Sequence, residues 1–306
     1  MELRSVSRGN IMPQTISVKP VRLPAPERGT DLEVRVTAPA TGSGLPVILM
    51  AHGFGGSMTS YDPLVDHWAA AGFVVVQPTF LDSATLAITP DDPRHGEIWR
   101  FRVRDVTQVI DSLDRLLAAI PGLPERVDVR NLAVVGHSWG GQTVGMLLGA
   151  RVIADDRTVG ASHTDPRVRA GVLLATTGTG GEDLAPFARE HFPFMSPDFG
   201  QLTTPTLVVA GESDDSPLST RGPDWFTDAH RLSPGSRALV TVLGGEHYLG
   251  GIHGYNRTDT TDESPQRVEA VRLTSTAFLR TTLGQDADAW AAAVAAPPVG
   301  SRIDEA

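Results

Sequence analysis

The stretch that most constrains this chain is Ala133-Val134-Val135-Gly136-His137-Ser138-Trp139-Gly140-Gly141-Gln142. An apolar run ends in Gly-His-Ser-Trp-Gly, and a small-residue helical pattern (Thr143 to Ala150) follows at once. Strand, sharp turn and helix around a GxSxG pattern make a nucleophile elbow. A serine in a strained backbone at so tight a turn needs neighbours without side chains, the places filled by Gly136 and Gly140. The strain lifts the Ser138 hydroxyl off the sheet edge. The next backbone N–H, that of Trp139, then opens a helix, where negative charge is favoured. A turn serine capping a helix would account for Ser138 but not for its three glycine neighbours, Gly136, Gly140 and Gly141.

The rest of the chain reads as α/β. Thr15 to Leu23 and Asp31 to Thr37 are two half-buried strands, the second with Leu32, Val34 and Val36 alternating against Glu33 and Arg35. Pro46 to Ala51 is apolar on both faces, as central parallel strands are, and runs into His52-Gly53-Phe54-Gly55-Gly56-Ser57. A helix is expected over Tyr61 to Ala71, a strand over Phe73 to Gln77, and an irregular segment over Leu81 to Arg94. One long amphipathic helix follows, Glu97 to Ile120, with Val106, Val109, Ile110, Leu113, Leu116 and Leu117 as its apolar stripe. Beyond the elbow come strands at Ala170 to Ala175, Thr206 to Ala210 and Ala238 to Leu243, with a loop-rich stretch, Thr177 to Gln201, between the first two. Helices are expected at Trp225 to Arg231 and Pro265 to Thr282. Residues 1–12 read as a loose leader, and 284–306 as an Ala-rich tail fraying near Pro297. Alternating strands and helices predict one domain over 1–306: a mostly parallel sheet of about eight strands with helices on both faces.

Composition narrows the function. Among 306 residues, 41% are hydrophobic and 20% charged, ordinary for a globular protein. A formal net charge of −10 without any Lys/Arg cluster argues against nucleic acid as a partner. The chain has no cysteine, which excludes disulfides, thiolate metal sites and a cysteine nucleophile. No segment approaches the ~20 apolar residues of a membrane span, and the N-terminus lacks a signal-peptide core, so a cytoplasmic location is the default expectation. The sequence is silent on oligomeric state.

An activated serine needs a base, and the base an orienting acid. After an elbow the acid is expected first and the histidine second, each just beyond a strand end. The strand at Thr206 ends in Gly211-Glu212-Ser213-Asp214-Asp215-Ser216-Pro217, and the strand at Ala238 in Gly244-Gly245-Glu246-His247-Tyr248. Of nine histidines, only His247 directly follows a strand and a double glycine, which favours it over His230 and His253. Asp214 is preferred over Asp215 as the acid, although both lie in the right turn. His137 points away from the cleft side of an elbow and is expected to pack behind the serine; His52 reads as a hydrogen-bonded turn residue. The oxyanion hole needs two N–H donors, for which Trp139 and Phe54 are the candidates, the latter flanked by glycines that let backbone approach a substrate. Read as a phosphate cradle, HGFGG lacks the Lys and Ser/Thr of a Walker loop and the GxGxxG spacing.

HGFGGS, GHSWGGQ, the GESDDSP turn and GGEHY, in that order, resemble the α/β-hydrolase superfamily over about Pro46 to Leu283. Within it they are similar to the chlorophyllase, dienelactone-hydrolase, platelet-activating-factor-acetylhydrolase-like and cutinase-like esterases. The resemblance implies a serine carboxylester hydrolase with a Ser138-His247-Asp214 triad, a small-molecule ester as substrate, and neither cofactor nor metal. Two departures stand out. Secreted cutinase-like enzymes usually carry a signal peptide and a disulfide, and the stretch between Ala175 and Thr206 is too short for a large cap domain. An uncapped, open cleft is therefore expected, walled by Phe54, Tyr61, the Leu81 to Trp99 segment, Trp139, Phe187 to Phe199 and the loop Tyr248 to Asn256. Gly53, Gly55, Tyr61, Trp99, His137 and Tyr248 are its expected substrate-side residues. Apolar walls point to hydrophobic esters. Within the superfamily the rivals are a lactonase or amidase, an acyltransferase and a cofactor-free haloperoxidase; outside it, a binding protein on the same scaffold.

Overall fold

A computed structural model of the chain describes residues 14–86, 88–89, 91–154, 156–255 and 260–306. The leader expected at 1–12 and the end of the Tyr248 to Asn256 loop lie outside the described residues. The strands are β1 (Thr15–Leu23), β2 (Leu32–Pro39), β3 (Leu45–Ala51), β4 (Val74–Pro78), β5 (Val127–His137), β6 (Arg151–Val152), β7 (Val168–Leu174), β8 (Pro197–Asp198), β9 (Thr206–Gly211), β10 (Ser236–Val242) and β11 (Ser301–Glu305). The helices are α1 (Asp62–Ala70), α2 (Ile98–Asp111), α3 (Leu113–Leu117), α4 (Trp139–Leu148), α5 (Pro186–His191), α6 (Asp228–Leu232), α7 (Pro265–Thr282) and α8 (Ala289–Ala295).

Nine strands form one sheet in the order β1-β2-β4-β3-β5-β7-β9-β10-β11, while β6 and β8 make a separate small ribbon. From β4 to β10 neighbouring strands are parallel, and β1, β2 and β11 pair antiparallel at the two edges. Period-two alternation divides the core between the two faces. Val47, Leu49 and Ala51 of β3 pack with Leu132 and Val134 of β5 under α2, α3 and α4. Ile48, Met50, Ala133 and Val135 face the other way, against Leu64 and Trp68 of α1 and Val271, Phe278 and Leu279 of α7. Both faces of the middle strands are covered, so they are apolar throughout, and the free carboxyl-end rim is where the sheet can hold a site.

Three expectations are corrected. The tail does not fray past Pro297: Ser301–Glu305 pairs antiparallel with β10, Ile303 opposite Val240. With one apolar residue this strand has almost no sequence signature. Its backbone instead covers the otherwise open edge of β10. The helix expected over Glu97 to Ile120 is broken into α2 and α3 at Ser112 (φ −107°, ψ 13°). Part of the stretch expected to be loop, 177–201, also folds, as α5 and the short strand β8.

Candidate active site

The elbow forms because three backbones converge. Ser138 has φ 54° and ψ −123° between the end of β5 and the start of α4. A Cβ on Gly136 would lie 2.2 Å from the Gly140 carbonyl oxygen, and one on Gly140 would lie 2.2 Å from that of Ala51. Any side chain there would force strand and helix apart. The Ser138 N–H donates to the Leu174 carbonyl (2.9 Å), which ties the turn to β7.

Three side chains meet at this turn. The Ser138 hydroxyl lies 2.8 Å from His247 Nε2. His247 Nδ1 lies 3.0 Å from Asp214 Oδ2 and 3.2 Å from Oδ1. The carboxylate can only accept, so Nδ1 carries the proton and Nε2 is left to accept from the serine. Asp214 follows β9 by three residues and is 1% exposed, whereas Asp215 points to solvent. Burial raises the Asp214 carboxyl above its ordinary range, against the opposing hydrogen bond from His247. His247 is delivered by the turn at Gly244 (φ 62°) and Gly245 after β10. The loop it sits on is fastened by Asp262, whose carboxylate accepts from the N–H groups of Glu246 (2.8 Å) and Gly250 (2.9 Å).

On the other side of the serine runs the loop after β3. A Cβ on Gly53 would lie 3.4 Å from Ser138 Cβ, so this backbone passes directly beside the serine. Gly55 holds φ 74°, a left-handed conformation suited to glycine. Among the described residues neither the Phe54 nor the Trp139 backbone N–H has an acceptor. The Phe54 side chain is 66% exposed, its ring 5.8 Å from that of Trp139.

A directed chain of hydrogen bonds runs beneath the site. The Gly53 N–H donates to the Tyr61 hydroxyl (3.0 Å), which lies 2.8 Å from His137 Nδ1, and His137 Nε2 lies 2.7 Å from the His247 carbonyl. A carbonyl accepts, so Nε2 carries the His137 proton and the phenol donates to Nδ1. Burial, then the nearby His247, hold His137 well below its ordinary pKa and keep it neutral. Tyr61 and His137, expected on the substrate side, are 2% and 1% exposed, their polar atoms engaged with each other and with the loops. His52 is similarly engaged: Nδ1 donates to the Gly53 carbonyl (2.6 Å) and Nε2 accepts the Phe80 N–H (3.0 Å). Burial lowers its pKa to about 4.

The geometry places a strained serine elbow on a rim of parallel strands. The chlorophyllase family model matches residues 3–152, about half of the chain, from before β1 through the elbow. Chlorophyllase-1 of Arabidopsis thaliana is 26% identical over 179 residues, covering 58% of this chain and 48% of that protein. The chloroplastic Chlorophyllase-1 of Citrus unshiu is 32% identical over 164 residues, covering 48% of this chain and 46% of that protein. The chain has the α/β-hydrolase fold and resembles the chlorophyllases. It spans about half the length of these curated relatives. The family match contains HGFGG and Ser138 but stops before Asp214 and His247, whose placement rests on geometry alone.

The aromatic residues expected as walls divide. Trp139 stacks on Phe194 (5.2 Å between centroids) and Phe194 on Trp99 (6.2 Å), while Phe192 meets Phe194 edge-on and Phe187 meets Phe192 in turn. They form a continuous aromatic bank on the Trp139 side. Tyr248 stacks on His253 (3.7 Å) and His137 (5.6 Å) on the His247 side. Phe199, in contrast, is buried in the core under α4. No helix among the described residues is long and apolar enough to cross a membrane, and no three His, Cys, Asp or Glu among them gather as metal ligands.

Sequence reasoning missed Arg102 and Asp82, a buried pair under the loop after β3. Position 102 stands four, seven, eight and eleven residues before Val106, Val109, Ile110 and Leu113. A charged residue in step with the apolar stripe of α2 was the available signal.

Proposed function

We propose that the chain is a single-domain serine hydrolase that cleaves hydrophobic carboxylic esters through an acyl-enzyme. The observation that carries this reading is the line from Ser138 Oγ to His247 Nε2 (2.8 Å) and from Nδ1 to Asp214 (3.0 Å). His247 takes the serine proton as Oγ bonds to the ester carbonyl carbon, and Asp214 holds the imidazole in the tautomer that can accept it. The carbonyl oxygen, now an oxyanion, is met by the Phe54 and Trp139 N–H groups, one from a glycine-flanked loop and one from the first turn of α4. Collapse breaks the bond to the alcohol, which leaves with the proton from His247. Water, deprotonated by the same imidazole, then releases the acid and restores Ser138. Removing one such donor costs about 3 kcal/mol of transition-state stabilisation. The aromatic bank from Trp139 to Phe187 supports a sizeable apolar group on the ester, with Gly53, Gly55, Trp99 and Tyr248 proposed to meet it.

The test is labelling of the intact chain by a fluorophosphonate probe, followed by p-nitrophenyl esters of graded chain length. Labelling and turnover that both vanish in Ser138→Ala are expected, with rates rising from acetate to longer acyl chains. Full activity in Ser138→Ala would sink the proposal.

A further inference from the structure

Arg102 sits in α2 with 0% side-chain exposure, and its partner Asp82 with 1%. Nε and Nη2 of the guanidinium reach the two Asp82 oxygens at 2.8 and 2.6 Å. Two of the remaining three donors go to backbone: Nη1 to the His52 carbonyl (2.9 Å) and Nη2 to the Gly53 carbonyl (3.3 Å). Asp82 Oδ2 in turn accepts the Gly55 N–H (3.2 Å). Phe54 is therefore bracketed, with the carbonyl before it held by the cation and the amide after it by the anion. The guanidinium plane lies between the Phe80 ring (4.4 Å to the centroid) and the Trp139 ring (4.5 Å). One cation thus touches both segments that present an N–H toward Ser138.

A wholly buried ion pair is a poor source of stability, because desolvating two charges offsets most of their attraction. What it does supply is fixed geometry through bidentate and multi-centre hydrogen bonds. We propose that Arg102 and Asp82 are positioning residues for the oxyanion hole. Arg102 orients the 52–53 carbonyls so that the following amide, Phe54 N–H, points at the reacting carbonyl, and it braces Trp139 through its ring. The pair touches neither substrate nor triad. The inference rests on the esterase reading above and names the device that holds that site's donors.

The test compares the intact chain with Arg102→Lys and Asp82→Asn, checked for folding by thermal melts. Three quantities are read: kcat and KM on p-nitrophenyl butyrate, the pH profile of kcat/KM, and the inhibition constant of phenylboronic acid. The boronic acid probes the hole directly. Ser138 Oγ bonds to boron, the serine proton passes to His247, and the tetrahedral anion puts a B–OH oxygen where the oxyanion would sit. A displaced donor should lower kcat by about 10²-fold. KM should stay near the parent value, boronate affinity should fall in proportion to kcat, and the midpoint of the pH profile should stay in place because the triad is intact. A folded variant with parental kcat and boronate affinity, or one whose loss comes with a displaced pH profile, overturns the inference. If one variant fails to fold, the other decides; if neither folds, Phe80→Leu, which removes one face of the guanidinium sandwich, is read by the same criteria. A parent chain inert to ester and fluorophosphonate overturns the esterase reading and this inference with it. An active parent with indifferent variants overturns the inference alone.

Discussion

The loop after β3 and the loop after β10 flank the same serine and are held on opposite plans. The first is pinned from beneath by buried charge, Arg102 and Asp82, and by the buried ring of His52. The second is fastened by backbone N–H groups on Asp262 and by the His137 ring on the His247 carbonyl, while its own imidazole remains partly open to solvent. The tasks proposed for them explain the difference. A backbone amide cannot rotate toward a target, so a donor of this kind is only as accurate as the loop that carries it. An imidazole reaches by side-chain torsion and must pass protons to water, so it needs a fixed backbone and an open face.

Removing what both loops serve has the largest effect. Ser138→Ala should cut kcat by about 10⁶-fold, the scale on which triads act as a unit, measured by single-turnover hydrolysis. Next comes the base side: Asp214→Asn should lower kcat by about 10⁴-fold through the wrong tautomer, while exposed Asp215→Asn stays close to the parent rate. The reverse ranking would assign the acid to Asp215.

The loop after β3 should also be acid-sensitive, as should the His137 contact that holds the loop after β10. His52 titrates near 6.5 when unfolded and at about 4 when folded, so the unfolded chain binds more protons between these values. Stability is therefore fully present above pH 6.5 and falls as the pH drops toward 4, by up to about 3 kcal/mol for this group. Urea unfolding across that window should show the slope, and His52→Asn should lessen it while His137 keeps its own share. The smallest effect belongs to Gly55→Ala. A Cβ there meets open space but φ is +74°, so the cost should be about 1–2 kcal/mol. A loss of activity in that variant well beyond its loss of stability would sharpen the contrast, since it would trace to a shifted Phe54 amide.

What could be read from the sequence was local. The elbow, the Asp214 turn and the Gly-Gly-Glu-His loop each follow an apolar strand, so their order along the chain is also their order around the rim. Arg102 and Asp82 stayed hidden because their role depends on a contact between α2 and a loop twenty residues earlier in the chain. A polar residue in a helix and an aspartate in an irregular segment look solvated when each is read alone. Tyr61 reads as an aromatic wall, yet its hydroxyl is claimed from below by His137 and Gly53. β11 was illegible for a different reason: it joins the sheet through backbone pairing with β10, which side-chain patterning does not encode.

The chain of hydrogen bonds from Gly53 through Tyr61 and His137 to the His247 carbonyl has one polarity, because the amide at one end can only donate and the carbonyl at the other can only accept. The Nε2 hydrogen of His137 is thus sealed from solvent and short-bonded, and its exchange with deuterium should be slow. In a proton NMR spectrum it should stand downfield of the amide envelope. That single resonance would report whether the two flanking loops are in register before any substrate is added.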